Sequence, residues 1–512
     1  MSDLIERMDA VTRLMGDRPA VLTDSATIRH QNFQETATIM AASLQHLGIQ
    51  KGDRVALYAA NGMEFALLYV AVVRAGAVLV PVNLLINPRE IAYILKDAGV
   101  RALLVQTSLL PRVKDILQDL EALSVVVEIE ESQSPFENLK PLLSPEGGWV
   151  KPSIDPDEDL VVILYTSGTT GFPKGAMLTH ANLVANADSV HVAMRWRRGI
   201  DRVLVVLPMF HAFAATVGLW TPLMNGCALI PIQGFDPEGM ARTIDRHQAT
   251  IFLGVPSLYS VLLKLRDDRV RLFQTLRFGI AGGAAMPVSV LEAFQKKFGI
   301  RVYEGDGPTE CSPVTCVNPI DGVSKPGTVG LPVPGVEMRI VDDEGLPLKE
   351  GEVGEIAVRG RNVMKGYWNQ PEATLAVMRG DWLLTGDLGT QDADGYFSIV
   401  DRKKDLIIVN GMNVYPRMLE DVLYTHPAIL EAAVIGEPDS RHGEVPVAYI
   451  ACHEGHTLCD QELREFCRNH LGRHQVPRRF VLLERLPRNG AGKILKRELR
   501  KEGERERGVS GL

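Results

Sequence analysis

Two hydrophobic rhythms alternate along the first 125 residues. Residues 33–47, 62–75 and Pro88–Asp97 place apolar side chains at helical spacing, and Arg54–Tyr58, 78–82 and 102–106 are short apolar runs of strand length. Helix and strand in alternation predict a parallel sheet with crossover helices. Residues 128–158 are acidic and carry prolines, which reads as a surface connection. Buried strands are expected again at 203–207, 251–253 and 277–281, with a helix over 219–226. From 327 to 400 the pattern becomes β-rich, with short strands at 327–330, 338–341 and 354–359 that suggest a small barrel or curved sheet. Asp394-Gly395 there is a hairpin signal. Beyond 401, strands at 406–409, 432–435 and 445–450 mix with helices at 417–424 and 460–471. The expected fold class is therefore α/β. A large N-terminal domain, 1–400, holds parallel α/β sheets and a small β-barrel, and a small α+β domain covers 401–512.

Length supports that division, because 512 residues exceed what one ordinary core organises. Composition is that of a globular protein, and a net charge of −8 argues against a nucleic-acid partner. The first eight residues carry acids and no apolar core, so no signal peptide is expected. The most membrane-like stretch, 66–86, is interrupted by Arg74, Gly76 and Pro81. It reads as helix, turn and buried strand, with no membrane span. Six cysteines in this length fit a reducing, cytoplasmic location. Cys452, Cys459, Cys467, His453, His456 and His470 crowd near the end at spacings that match no zinc pattern, and are read as side chains scattered over a helix and a loop.

One stretch concentrates chemistry. The apolar run 159–164 leads into Tyr165-Thr166-Ser167-Gly168-Thr169-Thr170-Gly171-Phe172-Pro173-Lys174-Gly175, and 176–184 reads as a strand end or turn entering a helix. Glycines let backbone N–H groups turn inward as an anion nest, hydroxyls add donors, and Lys174 adds a positive charge. The guest such a cradle suits is a polyphosphate. It is not a Walker loop, since Lys174 stands between Pro173 and Gly175. Other strand ends point small or apolar residues at one region. Ala212, Ala214, Ala215, Gly218, Gly254 and Gly282 leave room, while Phe213 and Val255 supply wall, giving a pocket for an apolar group.

The 165–175 run resembles the signature of the adenylate-forming superfamily: acyl-CoA synthetases, luciferases and adenylation domains of peptide synthetases. The resemblance continues at 303–310, Thr385-Gly386-Asp387, 401–420 and Asn489-Gly490-Ala491-Gly492-Lys493. It implies that Thr166, Ser167, Gly168, Thr169, Thr170, Gly171 and Lys174 hold ATP phosphates, with Gly283 and Ala284 also at the nucleotide. Thr309 would meet the α-phosphate and Glu310 a Mg²⁺. Asp387 would accept from both ribose hydroxyls, with Arg402 nearby. His211, Phe213, Gly254, Val255 and Gly282 would bound the acyl group, with His211 as a gate. Lys404 would be the pivot of a mobile C-terminal domain, Gly411 would face CoA, and Lys493 would be the catalytic lysine. The chain departs from the family at Asp306, where the usual residue is an aromatic ring that stacks on adenine. Asp306→Tyr is accordingly expected to lower the dissociation constant for ATP; an unchanged or weaker value by calorimetry would reject this.

The activity implied is an AMP-forming ligase acting in two steps with ATP, Mg²⁺ and CoA, and a homodimer is allowed. The stretch 210–216 offers no acidic anchor for an amino group, which points away from amino acids. Residues 252–256 and 403–409 most resemble fatty-acid ligases, so a medium- or long-chain fatty acid is the expected substrate. An alicyclic or aromatic carboxylate, an acyl-AMP ligase serving a carrier protein, and a non-catalytic nucleotide or acyl sensor stand as alternatives.

Overall fold

The computed structural model describes residues 2–131, 134–143, 147–166, 173–439, 441–488 and 494–509. Two large sheets build the first part of the chain. In one, Leu160–Thr166, Val78–Pro81, Arg54–Tyr58, Val100–Gln106 and Val125–Ile129 lie side by side and parallel. The other has a parallel centre running Arg301–Asp306, Phe278–Ala281, Ile251–Gly254, Arg202–Val205, Ala228–Pro231 and Pro19–Leu22. Antiparallel strands close its two margins.

Helices packed between the sheets are apolar all round, as burial on every side requires. Met63–Arg74 buries eleven of its twelve residues, and it shares one core with Val55 and Leu57 of the first sheet and Val203 and Val205 of the second. Arg74, which breaks the apolar run, is 4% exposed. Its guanidinium donates to Asp9 at 2.8 Å and to Gln34 at 3.0 Å, and lies 4.7 Å from the Trp149 ring. Buried charge is tolerable when partnered in this way. Among the described residues no helix is long and apolar enough to cross a membrane.

Of the two readings left open for 176–184, strand end or turn, the structure has the strand: Lys174–Thr179 runs antiparallel to Leu160–Thr166 with Thr166 opposite Lys174. Pairing to the preceding strand decides between them. The helix His180–Ala193 follows, with Thr179 and Asn182 forming a reciprocal capping box. Three other local expectations are corrected. The helix expected over 219–226 starts earlier, as a wide π-helical segment Ala214–Trp220 followed by Thr221–Met224. Its small residues allow close packing on a strand: a Cβ added at Gly218 would stand 3.0 Å from Val205. Residues 327–330 form no strand. They make a turn and one bridge, Gly330 to Phe397, and Gly330 has φ +89°. The connection 128–158 is not all surface, since it contains the helix Pro135–Asn138 and buries Leu139 and Leu142.

A five-stranded antiparallel sheet follows: Val336–Val341, Gly354–Gly360, Trp382–Gln391, Met378–Arg379 and Phe397–Arg402. Its last hairpin turns at Asp394-Gly395, where Gly395 has φ +85° and the Asp392 carboxylate accepts from the backbone of Asp394 and Tyr396. The final sheet contains Ile429–Asp439, Gly443–Cys452 and Arg479–Leu482. Leu419, Leu423 and Leu463 belong to one of its cores, and Tyr449, Leu486 and Leu499 to the other.

Candidate active site

Strand ends of both large sheets, the antiparallel sheet and the last helix converge on one cavity of about 1610 Å³. Open α/β sheets place ligands at the carboxyl ends of their strands, and that is where this cavity lies.

Thr166 and Lys174 stand on its wall, paired with each other at one end of their two antiparallel strands. The Lys174 ammonium is 5.1 Å from the centre of the Tyr367 ring, and the Tyr367 hydroxyl donates to Glu310 Oε1 at 2.7 Å. One tyrosine thus ties the lysine of the phosphate hairpin to the carboxylate expected to face a metal. The assignments to Ser167, Gly168, Thr169, Thr170, Gly171 and Lys493 fall outside the described residues.

Thr309 and Glu310 lie in a short turn, Thr309–Cys311, held by Met364 N donating to Glu310 O at 2.7 Å. Behind it Gly307 has no space for a side chain: a Cβ there would fall 1.7 Å from the Pro313 carbonyl oxygen. Backbone cannot yield as a flexible side chain can. Gly307→Ala is expected to displace Thr309 and Glu310, lowering the melting temperature and abolishing pyrophosphate release together; a stable, active variant would contradict the geometry.

Asp387 is 5% exposed and sits opposite Arg402 in the sheet. Its Oδ1 forms an ion pair with Arg402 Nε at 2.6 Å. Next to it, Gly386 N donates to Glu355 at 2.9 Å. Lys403 bridges Glu355 at 3.0 Å and Asp343 at 2.7 Å, anchoring the segment just before Lys404. Lys404 also lines the cavity, as do Asp306, Gly283 and Ala284.

The apolar end is bounded by His211, Phe213, Val255 and Gly282. Phe213 packs against Gly282, where an added Cβ would meet its ring at 3.4 Å. Burial drives the His211 pKa down to about 4, so the imidazole is neutral, and its buried Nε2 has no partner among the described residues. Gly254 does not line the cavity and packs instead on Tyr259 and Phe252. Gly411 is elsewhere too, at the tip of the Ile407–Val409 and Met412–Val414 hairpin with φ +78°.

Three residues of the cavity wall receive no role from the sequence: Tyr367, outside every motif, and Glu304 and Arg417, inside the 303–310 and 401–420 motifs. Glu304 lies within the 303–310 motif, yet only the fold shows its environment. It is 3% exposed, its Oε1 accepts from Met286 N at 2.9 Å, and its Oε2 has no partner among the described residues. Burial pushes its pKa up to about 7 from an ordinary 4.5. Between those values the folded carboxyl keeps a proton that the unfolded chain has released, so stability falls as pH rises through that window. Glu304→Gln removes the titration. The difference in melting temperature between about pH 5 and about pH 8 is expected to shrink by Glu304's share in the variant; an unaltered difference would show that Glu304 does not titrate there.

A divalent ion fits Glu310. Among the described residues no cluster of three metal-ligating side chains occurs, and magnesium needs none, taking one carboxylate with phosphate oxygens and water.

The small domain completes the enclosure. Ile494, Leu495, Lys496 and Arg497 line the same cavity as Thr309 and Lys174. Lys496 pairs with Glu420 at 2.8 Å, Arg500 with Asp405 at 2.6 Å, and Arg497 reaches Glu90 of the large domain at 3.6 Å.

The AMP-binding enzyme family matches residues 9–368, and the AMP-binding enzyme C-terminal domain matches 418–493. This chain belongs to the AMP-binding enzymes. A long-chain-fatty-acid–CoA ligase of Bacillus subtilis (strain 168) is 36% identical over 521 residues, covering 95% of this chain and 92% of the relative. ATP-bound MatB from Rhodopseudomonas palustris superimposes with a TM-score of 0.89 at 31% identity, over 98% of this chain and 99% of that one. The o-succinylbenzoate CoA synthetase of Bacillus subtilis, in complex with its acyl-adenylate, gives 0.85 at 29% identity over 98% of each. The chain is an adenylate-forming enzyme of the acyl-CoA synthetase type, with the α/β architecture and small C-terminal domain of those structures.

Proposed function

We propose that this enzyme activates a medium- or long-chain fatty acid with MgATP and transfers the acyl group to CoA. The observation that carries the reading is the single cavity, in which a hairpin-borne lysine, the Thr309–Glu310 turn, the Asp387–Arg402 pair and an apolar end are continuous. The identity to a fatty-acid ligase over nearly the whole chain supports the acyl class.

A carboxylate is ionised at neutral pH and needs no base. Its oxygen attacks the α-phosphorus, the bond to pyrophosphate breaks, and negative charge grows on the phosphoryl oxygens. Thr309 and Lys493 are assigned to those oxygens, Lys174 and the 166–174 loop to the departing pyrophosphate, and Asp387 to the ribose. Bound at Glu310, magnesium would neutralise phosphate charge. The enclosed apolar end keeps water from the acyl-adenylate. Rotation of 401–512 about Lys404 then withdraws Lys493 and brings the Gly411 hairpin toward the cavity. The CoA sulfur attacks the acyl carbon and AMP leaves. Cytoplasmic location and a homodimer belong to this reading, tested by fractionation and sedimentation.

Pyrophosphate release measured across aliphatic, alicyclic and aromatic acids, with and without CoA, tests it. Highest kcat/KM for aliphatic chains with turnover dependent on CoA is the expected result. A preference for cyclic acids would replace the substrate, turnover only with an acyl carrier would replace the acceptor, and silence throughout would reject the enzyme.

A further inference from the structure

The wall expected to face the adenine carries no ring. Asp306 occupies it, flanked in sequence by Gly305 and Gly307, with Gly283 and Ala284 lining the same cavity. A purine held by edge contacts alone would slide, because flat bases are retained mainly by a flat partner. The small domain contributes a flat group to the same cavity. Arg417, in the helix Pro416–Tyr424, lines the same cavity as Asp306, Glu304 and Ile399, and its side chain is only 18% exposed.

Its placement is built from both sides of the hinge. The backbone N–H of Arg417 donates to Asp401 Oδ2 at 2.8 Å, and Nη1 donates to the carbonyl of Ile399 at 2.7 Å. Nε comes no nearer than 4.0 Å to Asp421. The guanidinium is therefore tied at one edge while its charge remains within electrostatic reach of Glu304, whose carboxyl it stabilises in the ionised form. A guanidinium is planar, weakly hydrated and suited to stacking on aromatic faces.

Resting on the nucleotide reading above, we propose that Arg417 of the small domain covers the adenine face in place of the absent ring. Base recognition is then shared between the domains, and rotation about Lys404, which separates Arg417 from Ile399, loosens the base as the enzyme passes to its second step.

Calorimetric titration of the full-length protein with α,β-methylene-ATP and magnesium tests this. Arg417→Ala is expected to weaken binding roughly 5- to 30-fold. Arg417→Lys keeps the aliphatic stem and the charge but not the plane, and should stay weakened. Adding Asp306→Tyr to Arg417→Ala should recover most of the loss, which a merely structural role for Arg417 would not permit. Unchanged affinity in Arg417→Ala, or full recovery in Arg417→Lys, overturns the proposal. Wild-type protein that binds no nucleotide at all rejects instead the ligase reading on which it rests.

Discussion

Lys493→Ala lowers acyl-adenylate formation by roughly 10²–10³, the scale of removing one preorganised donor to a developing charge. Thioester formation from preformed acyl-adenylate is expected to fall far less, because in the proposed mechanism the small domain has turned away before the second step. The two half-reactions are measured separately, as pyrophosphate release with acid and ATP, and as acyl-CoA release from synthetic adenylate. Equal losses in both would show that Lys493 serves binding or folding in general and would remove the rotation from the mechanism.

Glu310→Gln is expected to have a comparable effect by a different route. The substitution keeps the shape of the side chain and an oxygen for the Tyr367 hydroxyl, which now donates to Oε1 at 2.7 Å. It removes the negative charge that a hard divalent ion prefers. Adenylation should fall by roughly 10²–10³ and recover in part at elevated magnesium, since weakened ion binding is opposed by mass action. Tyr367→Phe isolates the tether from the charge. It should cost less than Glu310→Gln and leave the magnesium dependence closer to wild type. A Glu310→Gln enzyme with wild-type rate and magnesium requirement would place the ion elsewhere.

Much of this site can be read in the linear chain because its chemistry is local. Polyphosphate cradles and carboxylate turns need particular residues at fixed short spacing, so the 165–175 and 303–310 segments announce themselves. Strand and helix existence in 33–106 is equally legible. Burial between two sheets demands uninterrupted apolar runs, and Met63–Arg74 has one. Less legible were features created by partners far away in sequence. Lys174–Thr179 is a strand because Leu160–Thr166 is beside it, and 327–330 is a turn because Gly330 must clear the backbone of Asn318, 2.1 Å from where a Cβ would be.

Local spacing thus determined the alternating helices and strands of the large α/β part and singled out the 165–175 and 303–310 segments, since each rests on patterns within about a dozen residues. Only packing decided that Tyr367 joins Lys174 to Glu310, that Gly254 turns toward Tyr259 and away from the cavity, and that Arg417 donates to the Ile399 carbonyl on the wall of that cavity. Those contacts close between segments that no short-range pattern links. Their free energy comes from burial and pairing that exist only once both sheets and the small domain are in place.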